Sequence, residues 1–175
     1  KKDPPDILLF IDADGSDDIA DLEQLLMLFN HSVNDPFIDP RNRLTFITST
    51  PISLVIGSRP HLASEDALTP LQCFGNALSC FLLKLIFKAH FTDLGPLRAI
   101  RWSTLMALNM TDQTYGWTVE MQAKACALGF TCAERTVYYN PRKAGRSKVS
   151  GTLKGSFLAG CKIMWIITKA WLKKL

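Results

Sequence analysis

The sequence predicts an α/β domain, in which a β-sheet is layered by helices. Apolar runs of strand length alternate along the chain with segments whose apolar residues recur at helical spacing. The first two predicted strands are continuously apolar, which is typical of a sheet covered on both faces. The chain has 175 residues, 47% of them hydrophobic, so it can bury the core of one domain.

The first predicted unit is a strand, a loop and a helix. Residues 6–12, DILLFID, predict a fully buried strand of the parallel type. Ser16 is positioned to cap the helix that follows, with Asp17 and Asp18 in its first turn, where the helix dipole favours negative charge. Residues 31–53 are unusually rich in loop formers near their start and predict an elongated surface loop.

The remaining elements again alternate in type. They are a strand at 53–59, helices at 69–88, 101–110 and 117–128, a strand at 131–139, a basic loop at 140–156 and a last apolar helix. Gly129 is expected to end the third of these helices, because glycine adopts the left-handed conformation that closes many helices.

The distribution of charge indicates which class of partner the chain would bind. Lys and Arg number 20 against 16 Asp and Glu, and the excess lies in the last third of the chain, which suits phosphates or anionic headgroups. The basic loop lacks the interleaved aromatics of a nucleic-acid groove, so no nucleic-acid partner is expected.

The five cysteines form no C-x-x-C pair, which argues against a zinc site and against a disulfide framework. We therefore expect the protein to be in a reducing, cytoplasmic compartment.

Two aspartates follow the first predicted strand, one residue apart. Asp12 and Asp14 stand at the carboxyl end of that strand, where α/β sheets collect ligands. In extended geometry both side chains would point to the same side and could bind one Mg²⁺ or Mn²⁺, with coordination positions left for phosphate oxygens. The alternative is that they end the strand and shape a turn, and the D-x-D spacing alone favours this alternative, because it is a weak pattern.

Five ordered motifs carry a resemblance to a known family. They are FIDADGSDD, LVIGSR, FTDLGPLRAI, YGWTVEMQAKACALGF and YYNPRKAGRSKVSGTLKGS. Together they resemble the second half of a family 2 inverting glycosyltransferase, most closely the branch that makes polyprenol-phosphate sugars, over nearly the whole chain.

The resemblance implies a particular fold and domain organisation. It implies the GT-A, Rossmann-like fold of nucleotide-diphospho-sugar transferases, without the amino-terminal β-α-β part that holds the nucleotide. Residues 1–150 would be the carboxyl-terminal part of the catalytic domain, and residues 151–175 an amphipathic carboxyl-terminal helix.

The resemblance also implies roles for individual residues. Asp12 and Asp14 match the pair that holds the divalent metal on the donor diphosphate, and Ser16 stands where the branch often has a Gln ligand. Asp93 and Glu120 match acidic residues near the acceptor and are the candidate catalytic residues. The positions expected to bind phosphate or substrate are Arg59, Arg98, Arg142, Ser147 and Lys148.

The implied function is that of a metal-dependent inverting hexosyltransferase. It would move a sugar from a nucleotide-sugar donor to a polyprenol-phosphate acceptor, as a peripheral protein at the cytoplasmic surface of a membrane. A lipid phosphate is already an anion, whereas a sugar hydroxyl would need Asp93 or Glu120 as a base. Two alternatives stay open: a transferase of the same fold with a hydroxyl acceptor, and a non-catalytic module that binds anions or membranes.

Each implied site residue also has a purely structural interpretation. Asp93 precedes a Gly-Pro turn and could cap it, and Glu120 lies in an amphipathic helix where an exposed glutamate is ordinary. Arg98 could form a salt bridge with Asp93, and the basic loop could be a solvated surface loop.

The last predicted helix has the composition of a membrane-surface helix. Its lysines fall on about one third of the circumference and the rest is largely Leu, Phe, Met, Trp and Ile, a pattern typical of interfacial helices. The alternative is a helix that packs against another part of the protein.

Overall fold

A computed structural model gives the structure of the chain and describes residues 3–30, 42–46, 51–64, 67–114, 116–143 and 153–172. The strands are β1 (Ile7–Phe10), β2 (Asn42–Phe46), β3 (Ile52–Ser58), β4 (Arg98–Arg101) and β5 (Thr131–Thr136). The helices are α1 (Ala20–Met27), extended by a 3₁₀ turn (Leu28–Asn30), α2 (Pro70–Phe87), α3 (Trp102–Leu108), α4 (Trp117–Ala127) and α5 (Leu153–Leu172).

The five strands form one mixed sheet in the order β1-β4-β3-β5-β2. The pair β3 and β5 is parallel, whereas β4 runs antiparallel to both of its neighbours, β1 and β3. It follows that β1, β3 and β5 point the same way, and that their carboxyl ends lie at one edge of the sheet. This confirms the α/β class.

The sheet separates two hydrophobic clusters. Leu54 and Ile56 of β3 face a cluster built with α2, α4 and α5, while Val55 between them faces a cluster built with α1. Successive strand residues point to opposite faces, so a strand covered on both sides is expected to be mostly apolar along its whole length and not only at alternate positions. All seven residues of β3 are buried accordingly.

The prediction for the first strand was only partly correct. The strand forms, but β1 lies at the end of the strand order with an antiparallel partner, and Leu9 is 38% exposed, so a fully buried parallel strand is wrong. Its partner β4 was not predicted, because its four residues carry an arginine at each end and resemble a polar connection.

The loop and cap predictions also need correction. Helix α1 begins at Ala20, whose N–H donates to Asp18 Oδ1 at 3.0 Å, and Ser16 does not cap the helix. Strand β2 lies inside the segment predicted as a long loop, whose residues 31–41 and 47–50 are outside the described residues. The glycine that was expected to end α4, Gly129, has a φ of +76°, as predicted.

Helix α2 is well capped yet poorly covered. Thr69 and Gln72 form a reciprocal capping box at its start, and Pro70 occupies the first turn, where its missing N–H costs nothing. In the described part of the chain it is the one helix that is long and apolar enough to cross a membrane, and only 22% of it is buried. Length and composition alone are weak evidence for a span, since core helices of soluble proteins can also meet them.

Helix α5 packs on α4 and α2 through one face. Ile166, Ile167 and Ala170 are buried in the larger core cluster, while Trp165 is 66% and Trp171 42% exposed. One face of the last helix therefore packs within the chain, and the other presents large apolar side chains.

Candidate active site

Three segments that are distant in sequence meet at the carboxyl edge of β1, β3 and β5. Tyr139, which follows β5, forms bridge pairs with Asp17 in the loop after β1 and with Ala63 in the segment after β3. The Asn140 N–H donates to the Ser16 carbonyl at 2.9 Å, and this bond extends the contact along the loop. The D-x-D, GSR and PRK motifs are thereby collected at one edge, where the sequence predicted ligand binding.

Asp14 is held in a fixed orientation. Its Oδ1 accepts hydrogen bonds from the Ser16 N–H at 3.1 Å and the Ser16 hydroxyl at 2.5 Å, and its Oδ2 pairs with Arg142 Nε at 3.0 Å. Burial raises the pKa of Asp14, but the bonds from Ser16 and the charge of Arg142 outweigh burial, so the net pKa is lowered. The carboxyl group is therefore ionised and pre-oriented.

Asp12 and Asp14 lie beyond the end of β1, and Ala13 and Asp14 are in a turn. Strand β1 ends at Phe10, and Gly15 has a φ of +75°, a conformation that favours glycine. The extended geometry from which the sequence argued a shared side is therefore wrong. The two groups still interact, because burial and then the negative charge of Asp14 raise the pKa of Asp12.

Asp17 is a third carboxyl group at this edge. It is 7% exposed, its Oδ2 accepts from the Asp12 N–H at 3.1 Å, and its Oδ1 is buried without a hydrogen-bond partner. Burial raises the pKa of Asp17, and the charges of Asp12 and Asp14 add to this. Like charges gathered in a partly buried loop are an environment that a bound cation would stabilise.

The carboxylates at this edge fit one of the ways in which proteins bind a divalent metal. Within the described residues no group of three or more His, Cys, Asp or Glu side chains is arranged to enclose an ion. Mg²⁺ commonly binds one or two protein carboxylates and completes its shell with water and substrate phosphates. Asp12 and Asp14 fit that mode of binding, while the hydroxyl of Ser16 is used to orient Asp14.

Arg59, at the end of β3, is paired with Asp93. The Arg59 Nε donates to Asp93 Oδ2 at 2.7 Å and its Nη2 to Oδ1 at 2.9 Å, while the Arg59 N–H donates to Oδ2 at 2.9 Å. Burial lowers the pKa of Arg59, but the bonds and charge of Asp93 reverse the direction and raise it. The guanidinium also lies over the Tyr139 ring, 5.0 Å from its centroid.

Glu134 of β5 anchors the backbone that carries Asp93. Its carboxyl oxygens accept from the Thr92 N–H at 2.8 and 3.1 Å, from the Thr92 hydroxyl at 2.8 Å and from the Asp93 N–H at 3.1 Å. Burial raises the pKa of Glu134 to about 7, against the lowering effect of the bonds from Thr92.

Arg98 is completely buried, and its guanidinium donates hydrogen bonds to three other residues. Its Nε donates to the Gly95 carbonyl at 2.7 Å, Nη1 to the Thr118 carbonyl at 2.7 Å and Nη2 to Gln122 Oε1 at 2.9 Å. Burial lowers its pKa to about 9. Asp93, which the sequence offered as a partner, is paired with Arg59, so the contacts of Arg98 link the turn before β4 to α4. Phosphate binding by Arg98 remains a prediction.

Glu120 is buried in α4, and its carboxyl group forms hydrogen bonds and an ion pair. It accepts from the Thr111 N–H and hydroxyl, with the shortest distance 2.6 Å, and from the Asp112 N–H at 2.8 Å, and it pairs with Lys124 at 2.7 Å. Burial raises the pKa of Glu120, but Lys124 and the hydrogen bonds from Thr111 reverse the direction and lower it. Glu120 thus fixes the loop between α3 and α4, and a catalytic role remains a prediction.

The basic loop is only partly described. Arg142 reaches Asp14, and the neighbouring Lys143 N–H donates to the Asp14 carbonyl at 3.0 Å. Ser147 and Lys148, expected to bind phosphate, lie outside the described residues.

The sequence reasoning overlooked Asp17 and Glu134 as site residues. The sequence predicted Asp17 in the first turn of α1, but the helix begins at Ala20, so Asp17 lies in the loop before it. Glu134 carries a detectable signal, because it is the one acid in its predicted strand and a buried acid must find hydrogen-bond donors or a cation.

The fold and site define an α/β protein in which carboxylates and arginines meet at one edge of the sheet. The chain is 29% identical over 153 residues to a protein of Mycobacterium bovis and to two of Mycobacterium tuberculosis, each named an uncharacterized glycosyltransferase. The match covers 87% of this chain and 61% of each relative, so the chain spans less than two thirds of the relatives it matches. No protein-family model and no solved structure matches the chain.

The α/β fold described above is compatible with the fold of a glycosyltransferase, the class of enzyme for which these relatives are named.

Proposed function

We propose that the chain is part of the catalytic domain of a family 2 inverting glycosyltransferase with the GT-A fold, acting as a hexosyltransferase. The observation that carries the proposal is the meeting of Asp12, Asp14, Arg59 and Arg142 at one sheet edge. Two carboxylates can hold a divalent ion there, and the two cations can bind the phosphate oxygens of a nucleotide sugar.

The donor end of the reaction follows from these charges. Inverting transfer is an in-line displacement, in which the acceptor oxygen bonds to the anomeric carbon as the bond to the diphosphate breaks. Mg²⁺ or Mn²⁺ held by Asp12 and Asp14 would supply charge neutralisation for the departing diphosphate. Arg59 and Arg142 would contact the phosphates and hold the leaving group in line.

The acceptor proposed is a polyprenol phosphate. Asp93 accepts four hydrogen bonds, three of them from Arg59 and one from the Leu94 N–H, and Glu120 is held by Lys124 and its loop. A carboxylate that is fully engaged by donors is a poor base. A phosphate acceptor needs no base, since it is already an anion at neutral pH, whereas a hydroxyl acceptor would require one of these groups to be released.

A cytoplasmic, peripheral membrane location is proposed with this acceptor. Helices α2 and α5 contain lysines but no Asp or Glu, and both carry large apolar side chains on their exposed faces. Such faces suit an interface between anionic headgroups and acyl chains.

Calorimetric titration of Mn²⁺ with UDP or GDP into the full chain tests the donor site. We expect binding that requires both the metal and Asp14, so that Asp14→Ala abolishes it. Asp18→Ala is the matched control, because Asp18 lies in the same loop and its side chain accepts a bond from the Ala20 N–H. Equal binding by Asp14→Ala, or no binding by folded wild type, would overturn the proposal.

A further inference from the structure

Glu134 is an acidic side chain in an unusual position. It lies in a central part of the sheet, on β5 between β3 and β2, and is only 2% exposed. Burying a carboxyl group in a sheet is costly unless donors surround it. An apolar residue would fill the same position without that cost, so the contacts of Glu134 show what its carboxyl group provides.

All four hydrogen bonds found for this group come from two adjacent residues. The Thr92 N–H and hydroxyl and the Asp93 N–H donate to it at distances from 2.8 to 3.1 Å. These residues lie in the connection between α2 and β4, where neither helix nor sheet bonds satisfy the backbone. Glu134 therefore supplies the acceptors that this buried turn lacks.

The next link joins this turn to Arg59. The Asp93 carboxylate, whose backbone Glu134 fixes, binds Arg59 through Nε, Nη2 and the main-chain N–H. A bidentate pair of this kind fixes the plane of the guanidinium as well as its position. The orientation of Arg59 is thus set from inside the sheet.

Arg59 lies next to the loop that carries the carboxylates of the candidate site. Its guanidinium lies over the Tyr139 ring, 5.0 Å from the centroid, and Tyr139 forms a β-bridge with Asp17 in that loop. The Arg59 side chain retains 14% exposure, whereas that of Asp93 is 1% exposed. Arg59 is therefore the solvent-facing end of a chain of contacts that begins at Glu134.

We propose that Glu134 is a positioning residue, which acts through Asp93 to orient Arg59 toward the phosphate oxygens of a substrate at the D-x-D edge. The substrate part of this inference rests on the proposed function. The positioning part concerns contacts within the chain and can be measured without ligand.

The first measurement is solvent exchange of the Arg59 Nε–H by NMR on the full chain, with Arg59→Lys used to assign the signal. Glu134→Gln has the same shape but loses one acceptor oxygen and adds an NH₂ opposite two donors. We expect the exchange of the Arg59 Nε–H to accelerate at least about tenfold. Cys132→Ala is the control, because it opens a small cavity on the same strand in the larger hydrophobic cluster, to which Thr92 and Asp93 do not belong.

The second measurement is binding of inorganic pyrophosphate with Mn²⁺ by calorimetry. Glu134→Gln should weaken it about fivefold to tenfold. In an Arg59→Lys background, which lacks the bidentate fork, the same change should add little. Thr92→Val, which removes one donor, should give a smaller loss and replaces Glu134→Gln if that variant does not fold.

The outcomes separate the two ideas. Unchanged Nε–H exchange, an equal effect of Cys132→Ala, or full additivity with Arg59→Lys would overturn the positioning role. Accelerated exchange in Glu134→Gln, together with a folded wild type that binds no pyrophosphate, would support the positioning role and overturn the proposed function.

Discussion

Arg142 Nε lies 3.0 Å from Asp14 Oδ2, so one of the two carboxylates proposed to hold a metal is already paired with a cation of the chain. The other oxygen of Asp14 is occupied by the backbone and hydroxyl of Ser16. A divalent ion that binds Asp14 must therefore share Oδ2 with Arg142 or replace it. An arginine released in this way would be available to the phosphates that arrive with the ion.

Arg142→Gln should therefore strengthen the binding of Mn²⁺ alone. The pair is partly exposed, with side-chain exposures of 37% and 14%, so removing the competitor should improve affinity only about twofold to fivefold. Electron paramagnetic resonance of free Mn²⁺ measures this directly. With Mn²⁺ and UDP together the sign should reverse, because Arg142 then loses a phosphate contact.

Lys143→Gln is the matched control for that experiment, since it removes the neighbouring cation and leaves the Asp14 pair intact. An Mn²⁺ affinity that is the same in Arg142→Gln and wild type would show that the pair does not compete with the ion.

Gly95→Ala should destabilise the chain strongly. A Cβ at Gly95 would stand 2.3 Å from the Gly57 carbonyl and 3.1 Å from Asp93 Oδ2, so β3 or the turn before β4 must move. We expect a loss of about 2 kcal/mol or more in the free energy of unfolding, measured by chemical denaturation.

Gly75→Ala is the contrasting variant. A Cβ at Gly75 meets nothing within 4 Å, and the residue lies inside α2, where alanine is favoured over glycine by about 0.5–1 kcal/mol. It should leave stability unchanged or raise it. Equal losses in the two variants would contradict the packing described at Gly95.

Part of the fold could be predicted from the sequence alone. Continuous apolar runs and helical periods located β3, α2 and α4, because local pattern and tertiary burial agree there, whereas β5 was predicted from its alternating pattern and from residues that favour strands. Strand β4 escaped detection because the charges that hide it are satisfied by tertiary partners: Arg98 bonds to carbonyls before β4 and in α4, and Arg101 donates to the Ile52 and Phe29 carbonyls. The four residues of β4 contain no local pattern from which such distant partners could be predicted.

The candidate site, like the fold, could be predicted only in part. The ends of strands and the ordered motifs pointed to Asp12, Asp14, Arg59 and Arg142, which the structure brings to one edge. The roles of Glu134 and of the Asp93 turn depend on contacts across about 40 residues of chain, which spacing does not encode.

Stability should depend on pH through Glu134. Its pKa is raised from 4.5 to about 7 in the folded chain, so the folded state binds more protons than the unfolded state between these values. Stability from this group is therefore lost as pH rises through that window, by at most roughly 3 kcal/mol. Asp93, Cys80 and Arg98 surround the group and share this environment.

Glu134→Gln removes this titration, so the stability of wild type relative to the variant should fall between pH 5 and pH 8. Chemical denaturation at both pH values measures the difference, and Glu23→Gln on the exposed face of α1 is the control. A difference that is constant across this range would mean that Glu134 is ionised throughout.

The exposed face of α2 gives the last prediction, which concerns the proposed membrane surface. Leu71, Phe74, Leu78, Phe81 and Leu85 recur every three or four residues and are 40–67% exposed. This spacing aligns them along one side of the helix. Lys84 and Lys88 are exposed near its end, which suits anionic headgroups.

Phe81→Glu should therefore reduce cosedimentation with vesicles that contain an anionic lipid, by about tenfold, while thermal stability stays close to that of wild type because the side chain is 59% exposed. Met106→Glu on α3, with 53% exposure, is the matched control for an added charge on an exposed apolar position. Equal binding by wild type and both variants would leave α2 without a membrane role. A loss in Phe81→Glu alone would assign the vesicle contact to α2, because the control carries the same new charge on another helix.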